Sequence, residues 1–257
     1  MGSALLHGWL DRGIPASQIT VVEPDETRAS TATGRSVGVV ADVADLRSSA
    51  PNAVVFAVKP QSLKTVAPQY ARFAAAGAVF LSIAAGRTIA GLVACLSPGA
   101  AVVRAMPNTP AAVRRGISVA CANAAVAASQ RALCQDLLAA VGAVLWIDDE
   151  ALMDAVTAVS GSGPAYVFLL AECLAQAGVD AGLPAEMARR LARETIVGSG
   201  ELLAKSDAPP EALRREVTSP GGTTAAALEV LMADGGLHAV LSRAVAAAAR
   251  RSRELAG

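Results

Sequence analysis

Up to residue 148 the chain alternates short β-branched apolar runs with segments whose apolar residues recur at helical spacing. The runs Gln18–Glu23 (QITVVE), Ala53–Lys59 (AVVFAVK), Ala78–Ala84 (AVFLSIA), Ala101–Met106 (AVVRAM), Gly116–Ala122 and Ala143–Ile147 predict strands. Several are apolar on both faces, as expected of a sheet covered on each side by helices. The opening MGSALLHGWLDRG reads as a helix already under way, with Leu5, Leu6, Trp9 and Leu10 at helical spacing and Gly13 as its stop. From Asp149 the strand signals cease. Helical patterns follow at about 151–178, 184–205, 209–217, 223–234 and 236–255, punctuated by Gly and Pro. Two domains are therefore predicted: residues 1–148, an α/β domain, and residues 149–257, an all-α domain. The stretch Tyr166–Ala177 (YVFLLAECLAQA) is apolar nearly all round except at Glu172 and Gln176. Such a helix needs cover on every side, and a second subunit is the economical cover.

Composition narrows the class. At 53% hydrophobic and 17% charged over 257 residues the chain is globular. The apolar stretch Phe73–Gly86 is shorter than the roughly 18 to 20 residues of a membrane span, and no basic segment precedes an apolar run at the start. A soluble, cytoplasmic protein without a membrane association is expected. Twenty-two basic residues balance 22 acidic ones, and the Arg pairs are dispersed among acidic neighbours, which argues against nucleic acid as a partner. Cys95, Cys121, Cys134 and Cys173 lie far apart in sequence, as do His7 and His238, so neither a metal site nor a disulfide framework is expected.

Several short stretches carry chemistry. The pyrophosphate fingerprint G-x-G-x-x-G/A joins a first strand to a first helix, with an acidic residue about 20 positions later. Gly2 fits its third glycine and Glu23 its acidic residue, while the first two glycines and the strand are absent; an ordinary helix start fits this half-motif as well. In SPGGTT, Pro220 stiffens a turn, Gly221 and Gly222 allow positive φ and close backbone approach, and Thr223 or Thr224 opens a helix whose free N–H groups attract an anion. Those six residues alone describe a capped helix start equally well. SGSGPAY reads as a flexible entry to a buried helix with Pro164 in its first turn. MPNTP follows a strand end, where open α/β sheets place ligands; its Asn108 amide offers hydrogen bonds, and a rigid β-to-α turn is the plain alternative.

Taken in order and spacing, VRAMPNTPAAVRRG (103–116), AVTAVSGSGPAYVF (155–168) and VTSPGGTTAAALEVL (217–231) resemble the defining segments of the pyrroline-5-carboxylate reductase family, and FAVKPQ (56–61) and SIAAG (82–86) do so too. The likeness spans essentially the whole chain. It implies a Rossmann-like domain followed by a helical dimerisation domain, and reduction of the cyclic imine 1-pyrroline-5-carboxylate to L-proline by NADPH or NADH. It places Met1, Gly2, Glu23, Ala57, Val58, Lys59, Ala84, Ala85, Gly86 and Asn108 along the dinucleotide. It places Ser160, Gly161, Ser162, Gly163 and Pro164 near the substrate, with Ser219, Gly221, Gly222 and Thr223 in the turn that holds the carboxylate and Thr224 facing the ring nitrogen as the catalytic hydroxyl. It also implies a homodimer with shared sites, and rings of dimers occur in the family. Glu23 suits the ribose hydroxyl of NADH, whereas Arg28 suits the 2′-phosphate of NADPH. Two other readings stay open: a different nicotinamide-dependent imine or β-hydroxy-acid reductase, and a dimeric scaffold impaired in catalysis. The hydroxy-acid reading is disfavoured because the helical half has only Lys205 and His238 as candidate bases, neither in a motif.

In the family a strand and a glycine turn ending Gly-Asn-Met precede the first helix, and Met1 matches that methionine, so roughly a dozen further residues are expected upstream. A central strand of about six residues would bury about four large side chains at ~1.5 to 3 kcal/mol each, on the order of 10 kcal/mol. Net stability is only ~5 to 15 kcal/mol. A version extended upstream is therefore expected to melt higher and bind the dinucleotide more tightly than the 257-residue chain. Equal melting temperatures and affinities would refute this expectation.

Overall fold

The computed structural model describes residues 1–46 and 50–256. These form two compact units: Met1–Gly161 with Ala249–Gly257, and Ser162–Ala248. The units do not divide at residue 148, where the sequence pattern changes. Residues 149–161 stay with the sheet because Met153 is buried in its core and the Asp154 carboxylate accepts a 2.6 Å hydrogen bond from Ser252 near the chain's end.

In the first unit β1 (Thr20–Val22) pairs in parallel with β2 (Gly38–Val40). A separate five-stranded sheet has the order β3 (Ala53–Phe56), β4 (Val79–Ser82), β5 (Ala101–Pro107), β6 (Gly116–Ala122), β7 (Gly142–Trp146). Its pairs are parallel except β5 with β6. The six runs read as strands are all strands, some shortened at their ends; β2 is the addition, three residues between turns that periodicity does not reveal. The helices are α1 (Gly2–Asp11), α2 (Glu26–Thr33), the single turns α3 (Leu63–Val66) and α4 (Arg72–Ala75), α5 (Ile89–Leu96), α6 (Ala128–Ala139) and α7 (Met153–Val156).

Alternation along β4 shows why the sheet is covered on both faces. Phe80 points into a cluster with Phe56, Val102, Val119 and the α5 residues Ile89, Leu92 and Leu96. Val79 and Leu81 point the other way, against Val103, Ala120 and the α6 residues Cys134, Leu137 and Leu138. The Phe56 and Phe80 rings stack at 6.0 Å, and Tyr70 meets Phe56 edge-on at 5.5 Å, an arrangement that adds to simple area burial. Burial pushes the Tyr70 hydroxyl up from its ordinary range, with the nearby Asp42 carboxylate adding to it. Burial pushes the Cys134 thiol up to about 12.

Helix α1 is shared by both sheets. Leu6 packs with Ala32 and Val37 beside β1 and β2, Leu5 packs with Val141 and Val55, and Trp9 joins both groups while its indole N–H donates to the Leu137 carbonyl at 2.8 Å. The MPNTP segment is not a β-to-α turn. It runs through a 3-10 turn (Thr109–Val113), reverses at Arg114 with φ 58°, and enters antiparallel β6, because so short a link cannot cross over to a parallel neighbour. Gly116 is required there, since a Cβ would lie 2.9 Å from the Ala111 backbone.

The second unit is helical: α8 (Gly163–Asp180), α9 (Ala185–Lys205), α10 (Pro210–Glu216), α11 (Thr223–Leu231) and most of α12 (Leu237–Ala256). The expected helix over 151–178 is interrupted by a π-turn at Thr157–Gly161. Helix α9 folds back on α8, with Gly178 against Ala188. The apolar run in α8 is left open: Phe168 is 63% exposed, Leu169 56% and Leu170 46%. Unlike the shorter run Phe73–Gly86, the segment Glu150–Asp180 is by length and composition alone apolar enough to cross a membrane. The π-turn and the Ser162 break divide it into separate helical pieces.

Removing the buried Phe80 ring is expected to cost ~3 to 5 kcal/mol. Urea unfolding of Phe80→Ala checks this; a loss under ~1 kcal/mol would show that the cluster closes over the gap.

Candidate active site

The first unit gathers its candidate dinucleotide residues at the ends of β3, β4 and β5. After Phe56 come Ala57 and Lys59, both exposed, with Val58 half-buried between them. Gly2 opens α1 against this turn; a Cβ there would stand 3.1 Å from the Ala57 Cβ, so glycine gives the helix its close seat. Met1 is the N-cap and supplies no side-chain cap, so the first N–H groups of α1 have no intrahelical or capping acceptor. Such a helix start attracts an anion. After β4, the buried Ser82 hydroxyl accepts from the Ala84 N–H at 3.3 Å, Ala85 is exposed, and Gly86 reverses the chain at φ 68°.

Two hydrogen bonds lock these turns together. Ile83 N–H donates to the Phe56 carbonyl at 3.1 Å, and Arg87 Nε–H donates to the Pro60 carbonyl at 3.0 Å. At the end of β5, Asn108 uses its side-chain oxygen to accept from Ile117 N–H at 2.9 Å, so this amide holds the β5–β6 reversal by its oxygen. Glu23 follows β1, its carboxylate accepting from Asp25 N–H at 3.1 Å. The Arg28 guanidinium lies 3.8 Å from Asp25 on the exposed first turns of α2.

The SGSGP stretch is split between the units. The Ser160 hydroxyl donates to the Val156 carbonyl at 3.1 Å within the π-turn. Gly161 lies against β5, where a Cβ would come within 2.5 Å of the Met106 methyl. Gly161 is thus brought beside the strand that Asn108 follows. Ser162, Gly163 and Pro164 open α8, with Pro164 in its first turn.

In the second unit Ser219–Gly222 is a turn closed by the Gly222 N–H on the Ser219 carbonyl at 3.0 Å. Gly221 has φ 68°, as a type II turn with proline at its second position requires. Gly222 has an ordinary φ of −81° and is closely packed, since a Cβ would lie 3.1 Å from the Ser219 carbonyl oxygen. Helix α11 then begins at Thr223, without a side-chain cap, with Thr224 half-buried in its first turn. The leading N–H groups of α11 follow directly on the turn and have no side-chain cap. Lys205, at the end of α9, is paired with Glu201 at 3.2 Å on the surface.

Two residues went unread in the sequence. Arg104 sits in β5 with its side chain 7% exposed, and Glu150 meets it at 2.8 Å. A lone charge inside a strand apolar on both faces was the available signal for Arg104; Glu150 gave none. Burial, and then the Glu150 carboxylate, push the neighbouring Cys121 thiol up. A cleft of about 460 Å³ lined by Gly8, Arg12, Arg114 and Arg115 lies near the other end of α1, about 15 Å along the helix from Gly2. Arg114 is engaged there by Asp11.

Residues 150–255 match the family model described as pyrroline-5-carboxylate reductase dimerisation, and residues 1–86 match the one described as NADP oxidoreductase coenzyme F420-dependent. The chain is 45% identical over 257 residues to a pyrroline-5-carboxylate reductase of Pseudomonas aeruginosa, covering 100% of this chain and 93% of that protein. It superposes on a pyrroline-5-carboxylate reductase from Coxiella burnetii with TM-score 0.93 at 32% identity, covering 100% and 95% of the two chains. With the pyrroline carboxylate reductase of Plasmodium falciparum, solved with NADP bound, the TM-score is 0.83 at 32% identity, covering 100% and 95%. These relatives support a soluble protein and an NAD(P)H-dependent oxidoreductase. On a match of this extent and identity, the chain belongs to the pyrroline-5-carboxylate reductase family.

Proposed function

We propose that the chain reduces 1-pyrroline-5-carboxylate to L-proline. The observation that carries this reading is the Ser219–Gly222 turn, with Gly221 at φ 68°, delivering the chain into the uncapped start of α11 with Thr224 in its first turn. A backbone cradle of this kind suits a small carboxylate, and a threonine hydroxyl beside it suits a ring nitrogen. Gly221, Gly222 and Thr223 bind the acid group through backbone N–H, Ser219 fixes the turn, and Thr224 hydrogen-bonds the nitrogen. Ser160 to Pro164 leave room for a flat ring.

The dinucleotide residues fit their group. An uncapped helix start at Met1–Gly2 accepts the pyrophosphate, and the turns at Ala57–Lys59 and Ala84–Gly86, tied by Arg87, form a firm bed for the chain of the cofactor. When bound, the nicotinamide supplies hydride to the imine carbon. The residues of this chain have then only to hold the ring in register and keep its nitrogen hydrogen-bonded, because a protonated imine is already electrophilic. Proximity and orientation supply the bulk of the rate, and no histidine or lysine base is needed.

The exposed apolar face of α8 supports a homodimer through the helical unit, each site drawing on both copies. The four cysteines are free thiols, in keeping with a cytoplasmic protein.

Oxidation of NADPH or NADH, followed at 340 nm with 1-pyrroline-5-carboxylate, tests the reading. Proline formation in step with the absorbance loss is expected, and no turnover with either dinucleotide would overturn it. Thr224→Val keeps the shape and removes the hydroxyl. Loss of a hydrogen bond to a charged partner costs ~1.5 to 3 kcal/mol, so kcat/KM for the imine should fall about 10- to 150-fold with dinucleotide affinity nearly unchanged. An unchanged rate would eliminate the role of Thr224. Glu23→Ala should shift the NADH-to-NADPH ratio of kcat/KM several-fold toward NADPH, since the carboxylate at the end of β1 favours a ribose hydroxyl over a phosphate. A constant ratio would remove Glu23 from the site.

A further inference from the structure

One carboxylate oxygen, Glu150 Oε1, holds two donors on elements that adjoin different loops of the candidate dinucleotide site. It accepts from the Ile89 N–H at 2.9 Å and from Arg104 Nη1 at 2.8 Å. Ile89 is the first residue of α5, three positions after Gly86, and its N–H is among those a helix leaves without an internal acceptor. Arg104 lies in β5, two positions before Met106 and four before Asn108. The oxygen therefore ties the start of α5, which follows the Ala84–Gly86 turn, to the middle of β5, which leads into Met106–Asn108.

The carboxylate is itself held on its own segment. Asp149 caps the turn that Glu150 begins, accepting from Ala151 N–H at 2.9 Å, and Met153, one turn on, is buried at 1% exposure. Arg104, at 7% side-chain exposure, has little water to replace a lost partner, so its position follows that of Glu150. Glu150 is also the first residue matched by the dimerisation family model, yet it is packed into the sheet unit.

We infer that Glu150 is a positioning residue for the dinucleotide: through Ile89 N–H and Arg104 it sets the spacing of the Ala84–Gly86 turn from the Met106–Asn108 segment, and hence the fit of the cofactor between them. The inference rests on the reading of those two loops as dinucleotide walls. It goes beyond that reading by assigning the spacing to reach, the length of one side chain, as distinct from charge.

Two conservative variants separate reach from charge. Glu150→Asp keeps the charge and draws the carboxylate back by one methylene, so that it no longer meets both donors. Glu150→Gln keeps the length and an acceptor oxygen and loses the charge. Dinucleotide affinity is measured directly by isothermal titration calorimetry, with melting temperature and the steady-state KM and kcat alongside.

Glu150→Asp is expected to raise the dissociation constant and KM for the dinucleotide at least tenfold, with kcat at saturation changed less than threefold. Glu150→Gln is expected to melt lower, because Arg104 loses its counter-charge, and yet to bind the dinucleotide within about threefold of the unaltered chain. A role confined to stability moves affinity and melting temperature together in both variants, and that result would overturn the inference. So would a folded Glu150→Asp chain with unchanged affinity, whatever the fate of the Gln variant. Failure of the unaltered chain to bind either dinucleotide would instead strike the reading of the loops, and binding without turnover of the imine would strike only the proposed reaction.

Discussion

The central strands of the five-stranded sheet are buried on both faces, and the chemistry of the chain follows from that constraint. Val79, Phe80 and Leu81 of β4 have no exposure, and Ser82 has 1%. A polar ligand finds no footing on such a surface. The places left are the strand ends, where the chain must turn and where backbone N–H groups leave the ladder. The turns after β3 and β4 are short, built on small residues, and bonded to each other through Ile83 and Arg87. Rigidity there comes from the core beneath: Phe56 and Phe80, stacked at 6.0 Å, anchor the strands whose ends carry Ala57 and Ala84.

Much of this was legible in the residues because strands buried on both faces write continuous apolar runs. The six such runs are strands, and the SPGGTT turn has the positive φ at Gly221 and the helix start at Thr223 that its residues demand. What escaped has physical reasons. β2 is three residues long, too short for periodicity, and is held by pairing with β1 and by Val37 against Leu6. The reversal into β6 depends on Arg114 in a left-handed conformation and on Gly116 pressed against Ala111, tertiary facts that a Pro-rich loop does not announce. The π-turn before α8 is stabilised by packing of Gly161 on Met106, a contact between positions 55 apart in sequence. Glu150 was invisible for a similar reason: its partners are 61 and 46 positions away.

The second unit obeys the opposite rule. Its longest apolar run lies on α8, and within one chain α8 buries no residue fully. Ala188 and Ala192 of α9 are the fully buried apolar positions of this unit, both small, and they serve the close approach of two helices without filling a core. Helices joined by small-residue contacts, with their large side chains turned outward, gain little hydrophobic stabilisation alone. The match of this region to a dimerisation family model is in keeping with that imbalance, and a second copy of the chain is the cover proposed above for the open face of α8.

Catalysis by position places a particular demand on such a molecule. A base with a tuned pKa tolerates small displacements, since proton transfer depends on protonation state as well as on geometry. Hydride transfer to an imine held by a backbone cradle has no such reserve, and its rate depends on whether the two reacting carbons stand in near-attack geometry. The chain stiffens the loops that are proposed to meet ligand, each within its own unit. Pro220 and Gly221 define one turn, Arg87 ties two more, Asn108 closes the β5 exit on Ile117, and Glu150 bridges α5 to β5. Within each unit these bonds are formed by groups that hold backbone in place, as the proposed catalysis by position, without an ionisable base, requires.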